Sequence, residues 1–371
     1  MSAGWISASP QSSWSMVVPW SPETAVTSGA SPTQAEQIAR DVAAANGYSN
    51  GVGGATVSVT SPTTGLYLVQ VSQAQSLYFS GVNLTAAPTV SGQTYVKTST
   101  SGPACILALD PSDRGTLVLQ GTPSVTTNNC FVGNNSASGG VTVEDQDGTL
   151  LGGHATLTTS LFTTEGYYDV DGNSALHATT VLTAAPATPD PFANLSAPTP
   201  GTCQTYSGGS TLTPGTYCGG ISVNSQTQLT LAAGTYIING GDFSLNGGAG
   251  IDGSAGVTLI FMNGATFHFN GGGTLALTAP SSGTYKGVAI YVDRNMANAN
   301  SDMINGNATI TINGALYAPT QYVGYAGTAA TMACTQLIAY QIEFKGTADF
   351  GYSASCPGGV SSSGGSSSGI Y

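Results

Sequence analysis

Short runs of alternating apolar and polar residues, broken by Gly and Asn, fill most of the chain after residue 50. Strict alternation sets apolar side chains on one face of an extended backbone, so these runs predict half-buried β-strands. One helical pattern precedes them, over 32–45. Ser31 and Gln34 have capping-box spacing, and Pro32 takes the first helical position. Ala35, Ile38, Ala39 and Val42 form an apolar stripe, and Asn46-Gly47 closes the helix in a left-handed turn. Strands at 55–59 and 66–71 follow across a turn, so 27–101 reads as a small α+β unit, with 1–26 a separate segment.

From Cys105 the strands shorten, to 106–109, 116–119, 141–143 and 155–158, and 102–183 reads as a β-rich unit. Pro186, Pro189, Pro191, Pro198 and Pro200 make 184–200 a linker or a strap across a surface. Past 200 the chain repeats. Leu212-Thr-Pro-Gly-Thr-Tyr217 returns as Leu231-Ala-Ala-Gly-Thr-Tyr236, and Gly-Thr-Tyr recurs at 283–285. Asn-Gly pairs at Asn239, Asn246, Asn263, Asn270 and Asn313 separate the strand-like pieces. Asn-Gly is also the strongest hairpin signal, so an antiparallel meander is the rival fold. A period of about 20 residues is one solenoid coil, however, and tight Gly or Asn corners are what a coil needs. The expected fold is mainly β: the α+β unit, then a disulfide-stapled right-handed parallel β-helix over 201–357. A Ser/Gly-rich tail, 358–371, ends the chain.

Charge narrows the function. The chain has 18 acidic and six basic residues, a net charge of −12. Six scattered cations cannot neutralise a run of phosphates, which excludes nucleic acid, and the sign opposes docking on an anionic membrane. No run of 18 apolar residues is present, so no membrane span is expected. Met1–Pro22 lacks the basic start and apolar core of a signal peptide. Cysteines at 105, 130, 203, 218, 334 and 356 suit sequential pairs, Cys105–Cys130, Cys203–Cys218 and Cys334–Cys356. No Cys-x-x-Cys occurs and only His154, His177 and His268 are present, which disfavours zinc. Disulfides point to an oxidising compartment.

Several strings, in order, resemble the TadG-like proteins of the Flp/Tad (tight-adherence) pilus-assembly apparatus. These are 35–47, ending in Ala-Ala-Asn-Gly; Ala104-Cys-Ile-Leu-Ala-Leu-Asp110; Cys130 with Asn134-Asn-Ser136; and Pro189-Asp-Pro191. Cys203 with Pro214-Gly-Thr-Tyr-Cys218 and Cys334-Thr-Gln-Leu-Ile-Ala339 complete the set, which spans 30–356. The resemblance implies an inner-membrane-anchored protein with a large periplasmic or extracellular part, and no catalytic residues. Family members carry a membrane helix ahead of the Ala-rich segment, where Met1–Pro22 stands here.

Three sets of residues could carry chemistry. Parallel β-helices can hold sugar-cleaving carboxylates on one face, and Asp242, Asp252, Asp293 and Asp302 are available with Lys286 and Arg294. Asp beside turn glycines more simply bonds its own backbone. Asp169, Asp171 and Asn173 alternate like calcium ligands, although Gly172 is misplaced for an EF-hand loop and no Glu closes it. Tyr317, Tyr322 and Tyr325 could stack on a sugar or a protein, or lie half-buried in strands. The reading that follows is a non-enzymatic extracytoplasmic component of pilus assembly or surface adhesion, without a cofactor. Its partners would be other pilus-assembly or envelope proteins and surface glycans. The alternative is a secreted polysaccharide lyase or glycoside hydrolase.

Overall fold

A computed structural model describes residues 40, 43–44, 47–63, 66–74, 89–97, 103–127, 130–138, 148–183, 185, 187–297, 301–306, 309–328 and 330–352. The chain divides into two compact units near residue 101. In the first, Ala55–Thr63, Leu66–Ala74 and Thr89–Lys97 form an antiparallel sheet. Val57 faces Val71 and Val59 faces Val69, and Ala43 packs on them to make a small core. Arg40 Nη1 donates to Val57 O at 2.8 Å, tying the helical segment to the sheet. The rest of the expected helix lies mainly outside the described residues, as does the strand expected at 141–143.

The second unit is a parallel β-helix with three faces. Among its described strands every pairing is parallel, which rejects the hairpin alternative for the Asn-Gly corners. Asn263 shows why: at φ 54° it turns the chain through a corner into the next face. Corner Asn246 donates to Asn224 at 3.1 Å and Asn270 to Asn246 at 3.2 Å, so successive corners are hydrogen-bonded 22 and 24 residues apart. Later coils lengthen. Phe267 N reaches Asp302 Oδ1, 35 residues on, because 279–287 and 293–300 are inserted between strands.

The repeat does not stack in its sequence register. Tyr217 pairs with Ile238 and Gly215 with Tyr236, a slip of two residues from Gly-Thr-Tyr on Gly-Thr-Tyr. A slip of two keeps every apolar side chain inside, whereas a slip of one would expose them all. The Tyr217 and Tyr236 rings still stack at 6.2 Å. The third copy, 283–285, falls in an insertion and not in a strand.

Stacking order differs from chain order. On the first face, Gly215–Cys218 is followed by Gly234–Asn239, Val257–Met262, Val288–Val292, 315–318 and 335–339. The next strand is Ala104–Ala108, then Phe131–Asn134 and 161–164. The other two faces cross the same junction, where 342–346 pairs with Leu117–Gly121 and Asp349–Tyr352 with Ser124–Thr127. The described residues within 102–183, expected as a separate unit, are therefore the last coils of one solenoid that starts at 203. Gln336 Nε2 donates to Ala104 O at 2.8 Å and Gln341 Nε2 to Asp110 Oδ2 at 2.7 Å across the junction. Residues 187–200 carry the chain back toward the first coil.

Inside, Phe243, Phe261, Phe267, Phe269, Phe344 and Phe350 are fully buried and touch edge to face or in stacks. Each contributes roughly 1.5–3 kcal/mol through removal from water. Cys105–Cys130 and Cys203–Cys218 are bonded, with Cα separations of 5.5 and 5.4 Å, and each links neighbouring strands of the first face. Cys334 is also disulfide-bonded, and its expected partner Cys356 lies outside the described residues. Among the described residues no helix is long and apolar enough to cross a membrane.

One corner is a column of glycines, Gly247, Gly271, Gly306, Gly327, Gly346, Gly121, Gly153 and Gly172, with φ from 62° to 103°. The column runs unbroken through the junction. A Cβ on Gly153 would sit 2.7 Å from Gly121 O. Gly153→Ala is expected to cost about 2–4 kcal/mol, adding backbone strain to that overlap. Its neighbour Gly152 has open space at the Cβ position. Gly152→Ala should stay within about 0.5 kcal/mol of the parent in urea denaturation. Equal loss in both variants would reject the column as the cause.

Candidate functional site

The first face is buried on both sides. Its inward residues line the solenoid, and outward Ile237, Ile260, Tyr291, Tyr317, Ile338 and Leu107 are buried as well. Over part of this outer stripe lies the 187–200 segment, as a strap. Phe192 is fully buried with its ring 5.1 Å from Tyr317. Tyr291 OH donates to Leu195 O at 3.0 Å and Tyr285 OH to Ser196 O at 2.7 Å. At the other end of the strap, Asn135 exchanges two bonds with Thr188, at 2.7 and 2.8 Å.

At the centre is a polar latch. Tyr317 OH donates to Asp190 Oδ2 at 2.6 Å, and Arg294 Nη2 donates to Tyr317 OH and to Phe192 O. Arg294 also lies 3.4 Å from Asp190 Oδ2. Burial, reinforced by the Asp190 charge, pushes the Tyr317 phenol far above its usual range, so it stays a donor. Burial and the neighbouring Tyr291 raise Tyr285 to about 12. Burial alone would lower Arg294, but Tyr317 and Asp190 outweigh it and hold the guanidinium charged.

This geometry corrects the tyrosine expectation. Tyr317 is buried under the strap, and Tyr325 is buried in the interior, stacked 5.2 Å from Phe344. Tyr322 is half-buried and donates to Glu343 Oε2. No exposed tyrosine patch forms from these three: the strap covers one, the interior holds another, and the third is half-buried in its strand, the alternative the sequence also allowed.

Nor do the candidate carboxylates converge as one group: only Asp242 and Asp302 share a face, near enough for the Asp242 charge to act on Asp302. Asp242 starts a strand on the second face and accepts from Thr266 Oγ1 at 2.5 Å, while Asp252 is exposed on the third. A hydrogen bond from the Ser254 hydroxyl, with one from its backbone N–H, holds Asp252 below the usual carboxylate range. Asp293 accepts from Asn295 N at 3.1 Å, a turn contact. Arg294 is engaged by the strap, and Lys286 is exposed in the inserted loop. Asp169, Asp171 and Asn173 are exposed on the last coil, and Asp171 Oδ1 accepts from Gly172 N at 2.6 Å. Among the described residues no group of three His, Cys, Asp or Glu could hold a metal ion.

Asp302 stands apart. It takes the inward place beside Phe267 and is fully buried, with Oδ1 accepting from Phe267 N at 2.8 Å and Oδ2 unpartnered. Burial lifts its carboxyl to about 8, helped by the Asp242 charge and opposed by the Phe267 bond. Sequence reasoning missed the pairing of Asp190 with Tyr317. A signal existed: 236–238, 288–292 and 337–339 are continuously apolar, which marks strands covered on both faces.

Fold and latch define a disulfide-bonded, strap-braced parallel β-helix. No family model, curated protein or solved structure matches this chain.

Proposed function

We propose that the chain is a non-enzymatic, extracytoplasmic component of pilus assembly or surface adhesion. One observation carries this reading: of the residues a sugar-cleaving centre would use, Asp252 and Asp293 lie away from the Asp242–Asp302 pair, Asp302 is fully buried, and Arg294 is engaged in holding the strap. Arg294 and Asp190 join strap to solenoid, and Asp242, Asp252 and Asp293 each satisfy a local hydrogen bond. The two disulfides support an oxidising site outside the cytoplasm, and the resemblance to TadG-like strings supports the assembly role and anchoring at the inner membrane. The Ala104–Asp110 string is also the segment that joins the two stacks of coils. Envelope and pilus proteins, with surface glycans, are the proposed partners.

Incubated with neutral and acidic polysaccharides, the purified protein is expected to release no sugar and no unsaturated product. Cells lacking it are expected to lose surface attachment. Turnover that disappears in Asp293→Asn would overturn this reading in favour of a carbohydrate-active enzyme.

A further inference from the structure

The two ends of the solenoid are finished differently. At the first coil the inward residues Leu212, Tyr217, Ile221 and Val223 are buried, and Cys203–Cys218 pins the chain where Tyr206 packs against the core. At the last coil the inward residues Tyr168, Leu176 and Ala178 are only partly buried, although the residues they stack on, Thr149, Leu157 and Thr159, are buried. Tyr167, Val170 and Val181 on the same coil are exposed at 42, 37 and 37 %. They are three of the four exposed large apolar residues among the described residues, so the core is open at this end.

Among the described residues the last strand is also an unpaired edge. Ala175–Leu182 runs for eight residues and, among the described residues, pairs only with Thr156–Thr164. It contains no Pro, Lys, Arg, Asp or Glu, the devices that usually blunt an edge. Beside it stand Asp169 and Asp171, exposed, and Glu165, while 165–182 holds no Lys or Arg. A second copy meeting this end with its own open end would oppose like charges. Its first coil offers no countercharge, since 201–241 contains no charged residue.

We infer that the last coil is a docking site for an extended strand of a partner protein, apolar at alternate positions and flanked by Lys or Arg. The strand would add to Ala175–Leu182 by backbone hydrogen bonds, cover Tyr168, Leu176 and Ala178, and set its cations against Asp169 and Asp171. Failure here would leave the assembly reading intact, since that is tested by polysaccharide turnover and cell attachment.

The test uses the full chain and a synthetic peptide, Lys-Thr-Val-Thr-Val-Thr-Val-Lys, with a Glu-ended version and a Pro-interrupted version as controls. Saturable binding of the Lys-ended peptide is expected, with hydrogen exchange at residues 175–182 slowed about tenfold. Val181→Lys, at an exposed position, is expected to weaken binding about tenfold with an unchanged unfolding midpoint. Absence of binding, equal binding of the Glu-ended peptide, or protection that appears by self-association without peptide would each overturn the inference.

Discussion

At pH 9 the Asp302→Asn protein will be more stable than the parent, and at pH 4 the two will unfold nearly together. The folded-state carboxyl of Asp302 is raised to about 8 from an ordinary value of 3.8. Between those values the folded state keeps a proton that the unfolded state has released. The parent's stability is therefore fully present below pH 4 and falls as the pH rises to about 8, with no further loss from this group above that. The size is on the order of a few kcal/mol, at about 1.4 kcal/mol per pK unit. Asn keeps the oxygen that accepts from Phe267 N, and it cannot ionise. Urea midpoints of parent and variant across pH 4–9 isolate this one group, because every other titration is common to both. Parallel curves would mean that Asp302 is hydrated or paired when charged.

Phe192→Ala should carry the largest loss of any strap substitution, about 3–5 kcal/mol, the usual range for deleting a buried aromatic ring. The ring is fully buried against Tyr317, and its carbonyl accepts from Arg294. Emptying that place also exposes the latch to water, which weakens the Tyr317–Asp190 bond and the Arg294 ion pair. Two readouts separate strap from global collapse. Urea denaturation gives the total loss, and limited proteolysis under native conditions should cut within 187–200 faster than in the parent. Asn194 is exposed on the same strap, and Asn194→Ala serves as the comparison for a substitution that removes no buried ring. Protection of the strap unchanged in Phe192→Ala would show that the segment is held by other contacts.

Much of this architecture was legible in the residues themselves. Alternation placed the strands, and the near-20-residue period with Gly and Asn corners distinguished a parallel coil from a meander. Cysteine order gave both bonded pairs now seen. Those are local properties: side-chain period, turn conformation and short loop closure all act over a few tens of residues. Five prolines marked 184–200 as a linker or a strap, and the residues alone did not choose between the two.

Tertiary structure alone decided how the coils follow one another. Residues 335–346 pair with 104–121, contacts more than 200 positions apart in the chain, and nothing in either string specifies the other beyond matched apolar alternation. Any two strands with the same inward pattern could stack, so the choice rests on the glycine column, the Gln336 and Gln341 bonds and a strap long enough to return along the rod. The same limit hid the latch. Asp190 and Tyr317 are 127 residues apart, and only the stacked first face brings the phenol under the carboxylate. Local pattern fixes which way a side chain points; which neighbour it meets is settled by the summed packing of the whole solenoid.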